Sequence, residues 1–218
     1  MSSDPLPDDF WPDELSRFLP SAAEALDEAF RYECCPICYV LVEVCFQYLA
    51  GLAKRWPKQP ELRVAVCGAG GFCRTHTWRL GDIQSQMAIA EIHAEVLGSL
   101  LRREAAPGPC PLCHLDGLAE RRLLDELVRR LGEPGARAEY RQSFGVCYPH
   151  NSRLLAEPLS PEGRAEVVRL ERTATEELIG HLRGFLGKGS PAARPTRTDD
   201  ENRSPRYALL RVGGNEKV

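Results

Sequence analysis

An all-α fold is what the sequence predicts, on three observations. Apolar residues recur at helical spacing in five separate stretches, proline, glycine or a capping residue bounds them, and only residues 63–66 read as extended. Ser21-Ala22-Ala23-Glu24 is a capping box, with Ala22, Ala25, Leu26, Ala29 and Phe30 at helical spacing behind it. Residues 39–56 are apolar on most sides, which predicts a central, buried helix ended by Pro57 and Pro60. Residues 62–71 read as a loop closed by Gly68, Gly70 and Gly71. Over residues 82–103, Ile89, Ile92, Val96, Leu97, Leu100 and Leu101 share one helical face. A break at Pro107-Gly108-Pro109 precedes a further helix from Cys110 through Leu131, which Gly132, Pro134 and Gly135 stop. Ser160-Pro161-Glu162 then caps a helix that ends near Gly187.

The ends of the chain differ from this body. Residues 1–20 open with Asp4, Asp8, Asp9, Asp13 and Glu14 among prolines, so a flexible acidic N-terminus is expected, without the basic start and apolar core of an export signal. Beyond Lys188, prolines, charges and few apolar residues predict a disordered tail over residues 188–218. Within it Tyr207-Ala208-Leu209-Leu210 is an apolar patch able to dock on this domain or on a protein partner. The apolar run 40–53 is interrupted by Glu43 and Gln47 and is shorter than the roughly 20 residues of a membrane span.

Composition narrows the function. The 218 residues are 43% hydrophobic and 27% charged, enough to bury a core. A net charge of −3 offers no general attraction to nucleic acid or anionic membrane. The basic run from Arg121 to Arg130 contains Asp125 and Glu126, which makes it a salt-paired helix surface rather than a nucleic-acid face. Nine cysteines, an odd number, in a chain with no export signal argue for reduced thiols, a cytoplasmic setting, and metal or redox chemistry rather than a disulfide framework.

The spacing of those cysteines decides among the remaining chemistries. Cys35-Pro36-Ile37-Cys38 is followed after 34 residues by Cys73-Arg74-Thr75-His76, and Cys110-Pro111-Leu112-Cys113 after 33 by Cys147-Tyr148-Pro149-His150. Both CxxH elements follow a glycine two residues earlier, and His76-Thr77-Trp78-Arg79-Leu80 aligns with His150-Asn151-Ser152-Arg153-Leu154. This is the mark of an internal duplication, with helical units expected over 21–106 and 107–187. Each copy supplies three thiolates and one imidazole, a tetrahedral donor set suited to a structural zinc ion, hence two Zn(II) per chain. Proline after the first cysteine pre-shapes the turn, and CxxH puts both donors on one face of a helical turn. Spacing leaves two pairings open: each CPxC with the CxxH of its own copy, or Cys35 and Cys38 with Cys147 and His150.

Other readings of the same residues carry less weight. Cys45 fits a small core position, Cys34 a passive neighbour or a redox partner of Cys35, and Cys67, in the glycine loop, an exposed one. Cys110 to His114 spells the attachment motif of c-type haem, but that chemistry follows export and the equivalent of His114 is Tyr39. Thioredoxin-like dithiol exchange would need a strand before CPxC. Glu43, Glu91, Asp116 and Glu120 lack a partner that would mark a general base, so helix-surface roles are expected; His93 and His181 read as packing residues.

With both CPxC elements, Gly71-Phe72-Cys73-Arg74-Thr75-His76-Thr77-Trp78 and Gly145-Val146-Cys147-Tyr148-Pro149-His150 in hand, the chain resembles a bacterial family of unknown function, the DUF6062 type, over about residues 30–185. The resemblance implies a bacterial cytoplasmic setting and treats Cys35, Cys38, Cys73, His76, Cys110, Cys113, Cys147 and His150 as one set; it implies no established activity. The expected protein is a non-enzymatic interaction or adaptor module with two structural Cys3His zinc sites. A thiol-based redox or metal sensor using the same cysteines is the second reading, and a metal-dependent enzyme with one site open to water the third.

Overall fold

The computed structural model describes residues 10–102 and 109–214, and every regular element among them is helical. The helices are α1 (Phe10–Phe18), α2 (Ala22–Ala29), α3 (Pro36–Arg55), α4 (Pro60–Gly68), α5 (Arg74–Ile83), α6 (Gln86–Leu101), α7 (Pro111–Leu131), α8 (Pro134–Gln142), α9 (Tyr148–Ala156), α10 (Pro161–Gly187) and α11 (Asp199–Gly213). The order α3 to α6 recurs as α7 to α10, each helix of the second set starting 74 or 75 residues after its counterpart.

Contacts divide the chain into two compact units: Met1–Ser21 with Glu43–Arg121, and Ala22–Val42 with Arg122–Val218. The boundaries fall inside α3 and α7, not at the 106/107 junction that the sequence duplication suggested. The CPxC turn that opens α3 belongs to the same unit as the second CxxH, and the CPxC turn that opens α7 to the same unit as the first.

In the first unit Leu15, Leu19, Val44, Tyr48, Leu52, Trp56, Leu62 and Ile92 are buried together with Glu14. The Arg55 guanidinium lies over the Phe18 and Tyr48 rings and donates to Glu14 Oε2 at 2.6 Å, so the buried carboxylate is paired. Two elements of this unit depart from the sequence reading. Residues 10–18, expected as part of a flexible terminus, form α1 because Leu15 and Leu19 find core positions; residues 1–9 lie outside the described residues. The loop expected over 62–71 is largely α4, started by Pro60 as first-turn residue, with Leu62, Ala65, Val66 and Cys67 inward. Cys67 is accordingly buried, not exposed.

The second unit centres on α10, against which α8, α9 and α11 pack. Its N-cap Ser160 accepts from the Gly163 amide, as the Ser-Pro-Glu signal predicts. Gly163 is needed here, since a Cβ would stand 3.0 Å from the Leu131 carbonyl oxygen. The stop expected at Pro134 is a turn into α8, with Pro134 in its first turn.

The tail expected to be disordered carries α11, and its anchors are polar. Thr198 and Glu201 form a reciprocal capping box, Lys188 Nζ reaches the Glu201 carboxylate at 2.8 Å, and Arg197 stacks 3.7 Å over Phe185. Gly184 admits Glu201, whose carboxylate occupies the space of a Cβ. Leu209 and Val212 of α11 remain exposed.

Among the described residues α3 is long and apolar enough to cross a membrane by length and composition, longer than the run 40–53 implied. More than half of its most apolar window, 56%, is buried within the protein, the mark of a core helix.

Arg130, 7% exposed, ties α7 to α2 through Asp27 Oδ1 at 2.6 Å and the Ala23 carbonyl at 2.6 Å, and pairs with Glu126 at 2.9 Å. Arg130→Ala should lower unfolding free energy by about 1 to 2 kcal/mol in urea titrations, because it removes the bonds to the part-buried Glu126 carboxylate and Ala23 carbonyl, while the exposed Asp27 regains water. Hydrogen bonds from Arg129, opposed by partial burial and reinforced by Arg130, hold the Glu126 carboxyl down at about 2. Its contribution is complete above the ordinary carboxylate range and vanishes as pH falls through that depressed value. The stability gap between the wild-type chain and Glu126→Gln should therefore close as pH is lowered from about 5 to about 2, as read by chemical denaturation across that range.

Candidate metal centres

Four helix starts carry the eight donors. Cys35 and Cys110 stand immediately before the prolines that open α3 and α7, and their carbonyls accept from the amides of Tyr39 and His114 at 3.0 Å each. Cys73 and Cys147 are the N-caps of α5 and α9, with carbonyls accepting from Thr77 at 2.9 Å and Asn151 at 2.8 Å. Each cysteine is thus the hinge from loop to helix, and the second donor follows three residues later within the first turn. The loops before α5 and α9 turn through left-handed glycines, Gly71 at φ 99° and Gly145 at φ 75°. A Cβ at Gly71 would stand 3.2 Å from Val96 of α6, and one at Gly145 only 2.8 Å from the Glu171 carboxylate of α10.

Of the two pairings that spacing left open, the structure adopts the crossed one. In the second unit Cys35, Cys38, Cys147 and His150 converge, all buried; in the first unit Cys73, His76, Cys110 and Cys113 converge, with Cys113 exposed and Cys73 half-buried. In each group the donor atoms all lie within 4.8 Å of one another. Cys35 Sγ and Cys38 Sγ are 3.4 Å from His150 Nδ1, Cys147 Sγ is 3.1 Å from it, and Cys38 and Cys147 sulfurs are 3.7 Å apart. In the first unit the sulfurs of Cys73, Cys110 and Cys113 are 3.4, 3.5 and 3.5 Å from His76 Nδ1, and those of Cys73 and Cys113 are 3.7 Å apart.

These separations are the edges of a coordination tetrahedron. An ion about 2.3 Å from sulfur and about 2.05 Å from nitrogen sets S···S edges of about 3.8 Å and S···N edges of about 3.5 Å. A disulfide would need sulfurs about 2.05 Å apart, and all nine cysteines are free thiols. The donors therefore fit one tetrahedral ion per unit.

Proton equilibria within the two groups point the same way. Burial pushes the Cys110 thiol up, but hydrogen bonds from His76 and the backbone of Cys73 and Cys113 outweigh it and bring it down to about 6. Partial burial and the neighbouring Cys110 charge push Cys113 up to about 12. In the second unit hydrogen bonds from Cys35 and Cys38 hold Cys147 far below the usual thiol range, while burial and hydrogen bonds to Cys147 and Cys38 hold Cys35 well above it. Each group thus favours one thiolate and resists ionising the next, since sulfurs this close cannot all carry charge without a cation among them. Two helix N-termini point at each group and offset part of that charge.

In the first-unit centre a carboxylate stands behind the imidazole. His76 uses Nδ1 toward the sulfurs and turns Nε2 to Asp116 Oδ2 at 3.3 Å. A carboxylate behind a ligating histidine fixes its tautomer and raises its basicity. Burial opposes protonation of His76, but the bonds to Asp116 and Cys110 prevail and raise its pKa. Asp116, expected as a helix-surface residue, is thus a functional candidate that spacing missed. The signal for it was its place three residues after Cys113, on the ligand face of α7. At the corresponding position of α3 stands Leu41.

The remaining candidates stay outside both groups. Cys45 is buried, with Arg79 Nη1 at 3.6 Å from its sulfur. Cys34 is half-buried, and burial raises its thiol pKa. His93 bonds the Ile89 carbonyl at 2.8 Å, and the His114 ring lies 4.9 Å from that of Trp11. Comparison with family models, curated proteins and solved structures finds no match to this chain.

Asp116→Asn should weaken metal binding at the first-unit centre by about 10- to 100-fold and leave the second-unit centre unchanged. Competition titration with a chromogenic chelator reads the two affinities in one experiment.

Proposed function

We propose that this is a non-enzymatic zinc protein of the cytoplasm, with two structural Cys3His sites: Cys35, Cys38, Cys147 and His150 in one unit, Cys73, His76, Cys110 and Cys113 in the other. The observation that carries the reading is the pair of closed S3N tetrahedra, four protein donors converging on one point in each unit. Four donors leave no coordination position for water, which is the structural rather than the catalytic arrangement. Soft thiolates with imidazole favour zinc among divalent ions, and donors converging on one point suit a single ion better than a cluster whose ligands must reach different irons.

The role of such sites is to tie together helix starts that lie far apart along the chain. Metal binding in small zinc modules contributes on the order of 10 kcal/mol to folding, so the ion acts as a structural member of each unit. The chain then serves as an interaction or adaptor module, and the exposed Leu209 and Val212 of α11 support a protein partner at the C-terminal segment. The assignment to a DUF6062-type bacterial family rests on the same CPxC and CxxH motifs.

Protein purified without added metal should carry two equivalents of zinc by elemental analysis, and a strong chelator should lower its melting temperature. Iron with visible absorption, or a chain that is metal-free and equally stable, overturns the reading.

A further inference from the structure

The two centres share one geometry and differ in access. Cys73 and Cys113 sulfurs are 3.7 Å apart, and so are those of Cys38 and Cys147. Of the nine cysteines Cys113 alone is exposed, and its neighbour Cys73 is half-buried; the second-unit donors are all buried. What lies against the second-unit sulfurs is the end of α11. Gly214, its C-cap at φ 77°, is so close that a Cβ there would stand 3.0 Å from Cys38 Sγ and 3.4 Å from Cys147 Sγ. Arg211, one turn earlier and 8% exposed, latches this end by donating to the Val146 carbonyl at 3.0 Å and to the Glu171 carboxylate at 3.1 Å. Val146 directly precedes Cys147, so the latch holds the ligand loop itself.

We propose that the first-unit centre is a peroxide-responsive thiol site with Cys73 and Cys113 as the oxidised pair, and that α11 is the cap that withholds the same chemistry from Cys38 and Cys147. This rests on the metal reading above. Hydrogen peroxide takes one electron pair from the two thiolates: the O–O bond breaks, an S–S bond forms between Cys73 and Cys113, and two protons from solvent complete two waters. Two of four ligands are then spent, and Cys110 with His76 alone release the ion. A thiol reductant returns both thiolates and restores binding. Thiolate reactivity follows solvent access, which the exposed residue Cys113 has and the four buried donors lack.

The test is peroxide titration of the zinc-loaded full chain, with released zinc read by a chromogenic chelator and disulfides mapped by peptide mass spectrometry. One equivalent should leave at least about tenfold faster than the second, with a Cys73–Cys113 disulfide that dithiothreitol reverses. Gly214→Ala, which puts a methyl against Cys38 at a left-handed φ, and Arg211→Ala should each bring the second equivalent to within about threefold of the first and leave the first unchanged. Circular dichroism and the two equivalents of zinc that each variant carries before peroxide is added report whether the second unit has kept its fold, and maleimide labelling of the wild-type chain orders the thiols without any substitution. Equal release from both centres, retention of both zincs, or a disulfide at other cysteines overturns the proposal. A chain that carries no metal as purified instead overturns the structural-zinc reading.

Discussion

Everything in this molecule depends on bringing three sulfurs and one imidazole nitrogen to within 4.8 Å of one another from two distant stretches of chain. Unassisted, that is an unfavourable arrangement, because the first thiolate raises the cost of the second, hence the opposed shifts of Cys147 and Cys35. A divalent ion reverses the sign. Each group is built from the starts of one long helix, α3 or α7 at 20 and 21 residues, and one short one, α9 or α5 at 9 and 10 residues. Donors placed at helix starts therefore use the feature these helices offer most strongly, amides directed at negative charge.

The crossed arrangement makes each centre a tie between elements from both copies of the sequence signature. The same exchange accounts for the division into units whose boundaries fall inside α3 and α7. Despite their common pattern, the centres are not equivalent. Asp116 backs one imidazole where the other copy has Leu41, and Gly145 faces Glu171 where Gly71 faces Val96. That last difference gives Arg211 its carboxylate and hence α11 its seat.

Much of this was legible in the sequence, and the failures have physical causes. The all-α class, the capped start of α10 and the eight donors follow from periodicity, a Ser-Pro-Glu cap and the doubled spacing. Partner choice within the donor set did not, because two identical half-sites satisfy either pairing equally in one dimension. α11 was missed because its composition is that of a soluble tail; what holds it is the Thr198–Glu201 capping box, the Lys188–Glu201 ion pair and Arg197 on Phe185, which no hydrophobic pattern reveals. α1 and α4 were missed because a cluster of acids and a group of glycines masked a few core residues, Leu15 and Leu19 in one case and Leu62 and Val66 in the other.

The crossed pairing also nests one closure inside the other along the chain. Cys73 and Cys113 are 40 residues apart, whereas Cys35 and His150 are 115 apart and enclose them. Closing the longer loop costs only about 1 kcal/mol more in chain entropy, so the nesting itself separates the two closures in time more than in strength. During synthesis the inner quartet is complete as soon as Cys113 has left the ribosome, while Cys35 and Cys38, made first, must wait for His150, and for Gly214 later still. The ligand thiols made earliest are thus the last to be sealed.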